Sequence, residues 1–192
     1  MLHLPPASNF QGALDEKLAS IEGKYKVDDN GVIIQKIIDS QGNKDDIYVK
    51  LLEFLTRTYN DANEVIQVKE KEEGVIVCKG CYKFKVTDFL LGSSIEETAW
   101  HIYKAEIKDG KARVTITLDQ MDFYSPPAGN LSAESGSYSI LDCPPVKSYQ
   151  NQSFHVRKGH VFYYAVSNLI NLMEATEKAL SQDSSYKVDD NW

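Results

Sequence analysis

The stretch EVIQVKEKEEGVIVCKGCYKFKV (residues 64–86) decides the fold. Ile76, Cys78, Gly80, Tyr82, Phe84 and Val86 fall on one face, and Val75, Val77, Lys79, Cys81, Lys83 and Lys85 fall on the other. That strict alternation predicts a half-buried antiparallel strand, since successive side chains on a strand point to opposite faces. The run before it, residues 65–70, puts Ile66 and Val68 on one side, and the polar residues 71–74 end in a glycine that releases φ for a turn. A long hairpin is therefore expected at the centre of the domain.

Working outward, the residues before this hairpin read as a helix that needs a sheet to cover. Asn43 stands where an N-cap belongs, with Asp45 and Asp46 in the first turn against the positive end of the helix dipole. Ile47, Leu51 and Phe54, flanked by Tyr48, Leu52 and Leu55, make a wide apolar stripe, and Lys50, Glu53 and Arg57 take the polar side. Burial of each Leu or Phe on such a stripe contributes roughly 1.5–3 kcal/mol, so the helix depends on its sheet. Residues 32–38, VIIQKII, are β-branched and short, as a first strand would be.

A second hairpin follows the first. Ala99, His101, Tyr103, Ala105 and Ile107 alternate on one face, Asp109-Gly110 supplies a two-residue turn, and Ala112, Val114, Ile116 and Leu118 return inward. Met121 and Phe123 then break the phase. Either a β-bulge near Asp119 and Gln120 or a strand buried on both faces accounts for them. Residues 125–152 hold Pro126-Pro127 and Pro144-Pro145 among serines and read as a long loop, and residues 159–181 carry apolar positions at helical spacing. Ahead of the domain, residues 1–30 read as a tail with a short helix at 13–21. Residues 182–192 read as a disordered acidic tail, in which Tyr186 to Asn191 repeat Tyr25 to Asn30 letter for letter. The fold class expected is α+β: a curved antiparallel β-sheet with two main helices on one face, TBP-like or helix-grip-like, in a single domain over residues 31–181.

Composition narrows the function without naming it. A formal net charge of −7 disfavours phosphate backbones, so no nucleic-acid partner is expected. No apolar run approaches a membrane span, and the chain opens without a signal peptide. The three cysteines, Cys78, Cys81 and Cys143, have no framework spacing. On a strand Cys78 and Cys81 point to opposite faces, so CKGC does not read as a metal or redox pair, and His155, His160 and Cys143 make only a weak set of ligands. No metal, cofactor or catalytic residue is called. None of the recurrent zinc-protease, phosphate-loop, dinucleotide or nucleophile-elbow motifs occurs.

The runs GVIIQKII, YVKLLEFLTRTYNDANEVIQVKEKEEGVIVCKG and KDGKARVTITLDQMDFY, together spanning about residues 31–124, resemble a bacterial domain-of-unknown-function family described as having a TBP-like fold. The resemblance implies a sheet shape shared with the TATA-binding protein, and neither DNA binding nor a catalytic motif. It also implies an exported protein of Bacteroidetes-type bacteria, in the periplasm or cell envelope if a signal peptide was trimmed and cytoplasmic otherwise. The leading expectation is a non-enzymatic binding module that holds a small molecule or a protein between sheet, C-terminal helix and the loop 125–152, as a monomer or weak homo-oligomer. Trp100, Tyr103, Phe123, Tyr124, Tyr163 and Tyr164 are the candidate ligand-binding residues. The alternatives are a structural or assembly protein acting through sheet edges and the acidic tail, and a hydrolase without a recognisable motif.

Overall fold

A computed structural model describes residues 7–59, 62–87 and 94–181. The elements run α1 (Ala7–Ile21), β1 (Lys26–Asp28), β2 (Gly31–Asp39), α2 (Lys44–Thr58), α3 (Ala62–Val65), β3 (Ile66–Glu70), β4 (Val75–Thr87), β5 (Ser94–Lys108), β6 (Lys111–Ser125), β7 (Glu134–Ser139), a 3₁₀ turn (Ile140–Asp142) and α4 (Gln152–Ser181). The seven strands form one antiparallel sheet in the order β1-β2-β6-β5-β4-β3, with β7 added to β6. The α+β class and the open antiparallel sheet follow the sequence reading, with α1 as a third helix packed against α4.

The two hairpins hold the sheet together as their turn chemistry requires. Gly74 and Gly110 take φ of 68° and 76°, the left-handed region where a side chain would be strained. Asp109 beside the second turn accepts from the Lys44 backbone N–H at 2.7 Å, which ties the start of α2 to the tip of the β5–β6 hairpin. Asn43 caps α2 in a reciprocal box: its side chain accepts from the Asp46 N–H, and the Asp46 carboxylate accepts from the Asn43 N–H.

One face of the sheet is core. Ile76, Cys78, Ala99, Tyr103, Ile116 and Leu118 are fully buried there under Ile47, Leu51 and Leu55 of α2 and Phe162, Val166 and Leu169 of α4. The other face is open, with Lys79, Lys83, Lys85 and Lys104 exposed in the complementary phase. Cys78 points into the core and Cys81 to the open face, because β4 runs unbroken through Lys79-Gly80.

The phase break in β6 is a bulge. Ala99 pairs with Met121 but His101 with Leu118, so two steps on β5 oppose three on β6, and the extra residue lies at Asp119 and Gln120. Beyond it, Met121 and Phe123 face the helices and β6 takes a new partner: β2 pairs with β6 up to Leu118, and β7 from Gln120. The bulge therefore makes one sheet edge out of two strands in succession.

After the second hairpin, two elements differ from expectation. Residues 134–139, read as loop, form β7, ESGSYS, a strand in which Tyr138 is the one strand-favouring residue. Side-chain bonds hold it, Ser137 Oγ donating to Asp122 at 2.7 Å and Ser139 Oγ to Asp119 at 2.6 Å. The last helix starts at Gln152, not near residue 159, and its 30 residues span about 45 Å. Asn151 caps it, accepting from the Phe154 N–H at 3.0 Å. Gly159, which looks like a helix boundary in the sequence, lies inside the helix because α1 passes close there: a Cβ would stand 2.4 Å from a methyl of Leu14. The acidic tail at 182–192 and its YKVDDN repeat lie outside the described residues.

Candidate functional site

At the bulged end of the sheet the core opens. The inward row of side chains crosses four strands in register, Phe84 opposite Glu97, Glu97 opposite Phe123, and Phe123 opposite Gly136. Gly136 leaves room for the Phe123 ring, whose nearest carbon would lie 2.9 Å from a Cβ. The first two turns of α4 and the chain from 140 to 149 stand over this row and border an open-sided cavity of about 510 Å³. Its walls include Ile95, Glu97, Phe123, Tyr138, Phe154 and Lys158. Asp142, Lys147, Tyr149 and Arg157 stand on the loop and helix side, with Ser125 and Glu134 contributed by the ends of β6 and β7.

Two charged side chains are sunk into these walls. Glu97 is 1% exposed and accepts a hydrogen bond from the Tyr138 hydroxyl at 2.6 Å. Loss of water raises its carboxyl above the ordinary value, although the Tyr138 hydroxyl and the nearby Lys158 and Arg157 work in the opposite direction. Lys158 is 7% exposed, and its ammonium sits 2.9 Å above the centre of the Tyr138 ring and 5.8 Å from that of Phe154. Burial lowers its pKa. Tyr138 thus serves both, its ring to the lysine and its hydroxyl to the glutamate, and burial followed by the Glu97 charge holds that hydroxyl in its protonated form.

The loop side is braced from within. Lys147 pairs with Asp142 at 2.7 Å, the Tyr149 hydroxyl donates to the Asp142 carbonyl, and Tyr149 packs edge-on against Phe154. Arg157 lies 4.9 Å over the same Phe154 ring. Cys143 is fully buried behind this wall, and burial pushes its thiol up to about 12, which makes it a poor nucleophile.

The six aromatic candidates do not converge. Phe123 lines the cavity. Tyr103 is fully buried in the core, its hydroxyl 3.5 Å from Thr176 of α4. Trp100 lies on the open face, where its indole N–H donates to Asp122 at 2.6 Å and Lys79 covers the ring. Tyr124 is 45% exposed on that same face. Tyr163 and Tyr164 turn away from the cavity, toward Lys17 of α1, and Tyr164 also meets Phe84. His155 accepts from the Tyr149 N–H at 3.3 Å, whereas His160 stacks beside Tyr164. Among the described residues no three His, Cys, Asp or Glu side chains come together as a metal site would require.

Glu97 and Lys158 were not singled out in the sequence, yet each left a signal. Continuing the β5 alternation back from Ala99 puts Glu97 in the inward row with Ile95, and α4 drawn from Asn151 puts Lys158 on the apolar stripe between Phe154 and Phe162. A charge in an apolar phase was the available marker.

Comparison with known proteins fits the sheet and its helices. Residues 34–118 match the family described as a domain of unknown function (DUF4468) with TBP-like fold. The chain is similar to that family over this segment. A crystal structure of a DUF4468 family protein from Bacteroides ovatus ATCC 8483 aligns with a TM-score of 0.54 at 12% identity, covering 84% of this chain and 95% of that one. A TBP-like protein from Parabacteroides distasonis ATCC 8503 aligns with a TM-score of 0.50 at 11% identity, over 79% and 96% of the two chains. At these identities the DUF4468 likeness concerns fold alone. No curated protein matches the chain. The family segment ends at the bulge, so β7, the loop and α4, which make most of the cavity wall, lie outside the matched residues. No helix among the described residues is long and apolar enough to cross a membrane.

Proposed function

We propose that this protein is a binding module, and that the cavity between the β5–β6–β7 end of the sheet, the N-terminal turns of α4 and the loop after β7 holds its ligand. The observation that carries this reading is the cavity itself. At about 510 Å³ it lies within the roughly 300–1,000 Å³ of small-molecule sites, and it has the mixture such sites use, aromatic walls with a few sunken polar groups. Among the described residues around it no nucleophile is held by a base: Cys143 is held as a thiol, and Glu97 is engaged by Tyr138. Binding without chemistry is therefore favoured over hydrolysis. Placement in the periplasm or cell envelope belongs to this proposal and is decided by fractionating cells that express the full gene.

The test is a thermal-shift screen of small molecules against the wild type and against Ser125→Trp, which places an indole at the cavity wall. Ligands of the cavity raise the wild-type melting temperature and leave the variant unmoved, since stabilisation follows occupancy of the native state. Hits that stabilise both proteins equally, or no hits at all, count against the cavity as the site.

A second reading has one specific observation in its favour. β1 covers only Gly31 to Ile33 of β2, so the outer edge of β2 from Ile34 to Asp39 pairs with no strand among the described residues. Assembly through that edge predicts a size-exclusion profile that shifts with concentration.

A further inference from the structure

We infer that the cavity selects a small organic anion, a carboxylate carried on a flat apolar body, with Lys158 as its counter-charge. This rests on the cavity being the binding site. Its basis is the contrast between the two buried charged side chains of the cavity, of which Glu97 has a direct hydrogen-bond partner in the protein and Lys158 has none. Asp142 has Lys147 at 2.7 Å, and Glu97 has the Tyr138 hydroxyl at 2.6 Å. Glu134 is exposed at the end of β7.

Lys158 differs from all of these. It is 93% buried by its 7% exposure, it lines the cavity, and the contacts of its ammonium are the faces of Tyr138 and Phe154. Among the described residues no carboxylate comes within ion-pair distance of Nζ and no hydrogen bond satisfies it. An ammonium has three donors, and one that borders the cavity with no acceptor from the protein leaves them for water or for an anionic ligand. The aromatic faces hold the amine in place and leave its remaining donors directed away from the Tyr138 ring. Ile95, Phe123 and Phe154 then supply apolar surface for the body of the ligand, and Arg157, stacked on Phe154, adds positive potential from the same turn of α4.

Isothermal titration calorimetry with 2-naphthoate and its uncharged isostere 2-naphthamide tests this on the full chain. The expected result is at least tenfold tighter binding of the carboxylate to the wild type, with the preference lost in Lys158→Met and kept in Lys158→Arg. Circular dichroism and the melting temperature establish that both variants are folded. Equal affinity for the two compounds, or an unchanged preference in Lys158→Met, overturns the anion assignment and leaves the cavity standing as a site. Failure of both compounds to bind, while the Ser125→Trp comparison still uncovers cavity ligands, likewise removes only the anion. Failure of both together with no cavity ligand removes the two readings at once.

Discussion

His101 and Glu97 stand four residues apart on the same face of β5, each about 1% exposed, and their surroundings could hardly differ more. Around His101 the packing is closed. Its Nε2 meets the Tyr59 hydroxyl at 2.8 Å and Tyr82 stacks at 5.0 Å, while Gly80 brings β4 so near that a Cβ would lie 2.5 Å from the Tyr59 ring. Around Glu97 the bulge has turned β6 toward a new partner, α2 does not reach, and the helix that does brings Lys158 and two aromatic rings around a cavity. Burial of a titratable group is common to both ends. What separates a structural polar group from a candidate ligand contact is the open volume beside it.

The closed end should break most easily by overfilling. Gly80→Val drives methyl groups into Tyr59 and His101, and the expected loss is about 3 kcal/mol, read from urea unfolding. A loss below about 1 kcal/mol would mean that this end is looser than its geometry implies.

Acid tests the same end through charge. Burial pushes His101 down to about 4, below the ordinary 6.5, so the unfolded chain binds the extra proton between those values. The neutral histidine's contribution is complete above pH 6.5 and is lost as pH falls toward 4, by up to about 3 kcal/mol. Glu97 works in the opposite sense: with its carboxyl raised, its contribution is present below its unfolded value near 4.5 and is lost as pH rises through its folded value. The clean measurement is the difference between wild type and His101→Gln at pH 7 and pH 4.5. The variant should be the less pH-sensitive of the two, and parallel behaviour would contradict the buried neutral imidazole.

At the open end the sign reverses. Lys158→Met removes an ammonium that has no acceptor and fills the same space with a thioether, so the protein without ligand should gain about 1–3 kcal/mol. A loss of stability would show that the amine serves the fold and not a ligand. The smallest effect belongs to the surface pair Lys36–Glu177, 2.8 Å apart with side chains 48% and 36% exposed, where Glu177→Gln should cost less than about 1 kcal/mol and less still in high salt.

The same contrast explains how much could be read from the sequence. The closed end is made of regular signals: the Asn43 cap, the alternation of β4 and β5, and the Asp109-Gly110 turn all announce themselves locally. The open end is made of exceptions. β7 is held by serine hydroxyls bonded to Asp119 and Asp122, a tertiary effect that overrides strand propensity. The start of α4 was hidden by Gly159, which reads as a boundary until the approach of Leu14 is known. The bulge at Asp119 and Gln120 was visible as a break in phase, but its consequence, the exchange of β2 for β7 along β6, depends on a strand that the sequence does not advertise. Of the aromatic candidates only Phe123 borders the cavity, because aromatic content marks core and surface stacking as readily as ligand walls.

The central claim is that this sheet has one end packed for stability and one end open for a ligand. Backbone and side-chain NMR shift mapping during titration with cavity ligands measures both ends in one experiment. The account predicts perturbations that saturate together at Phe123, Tyr138, Phe154 and Lys158 and spare Tyr59, Tyr82 and His101. Perturbations centred on the His101 end, or spread evenly over both, would contradict it.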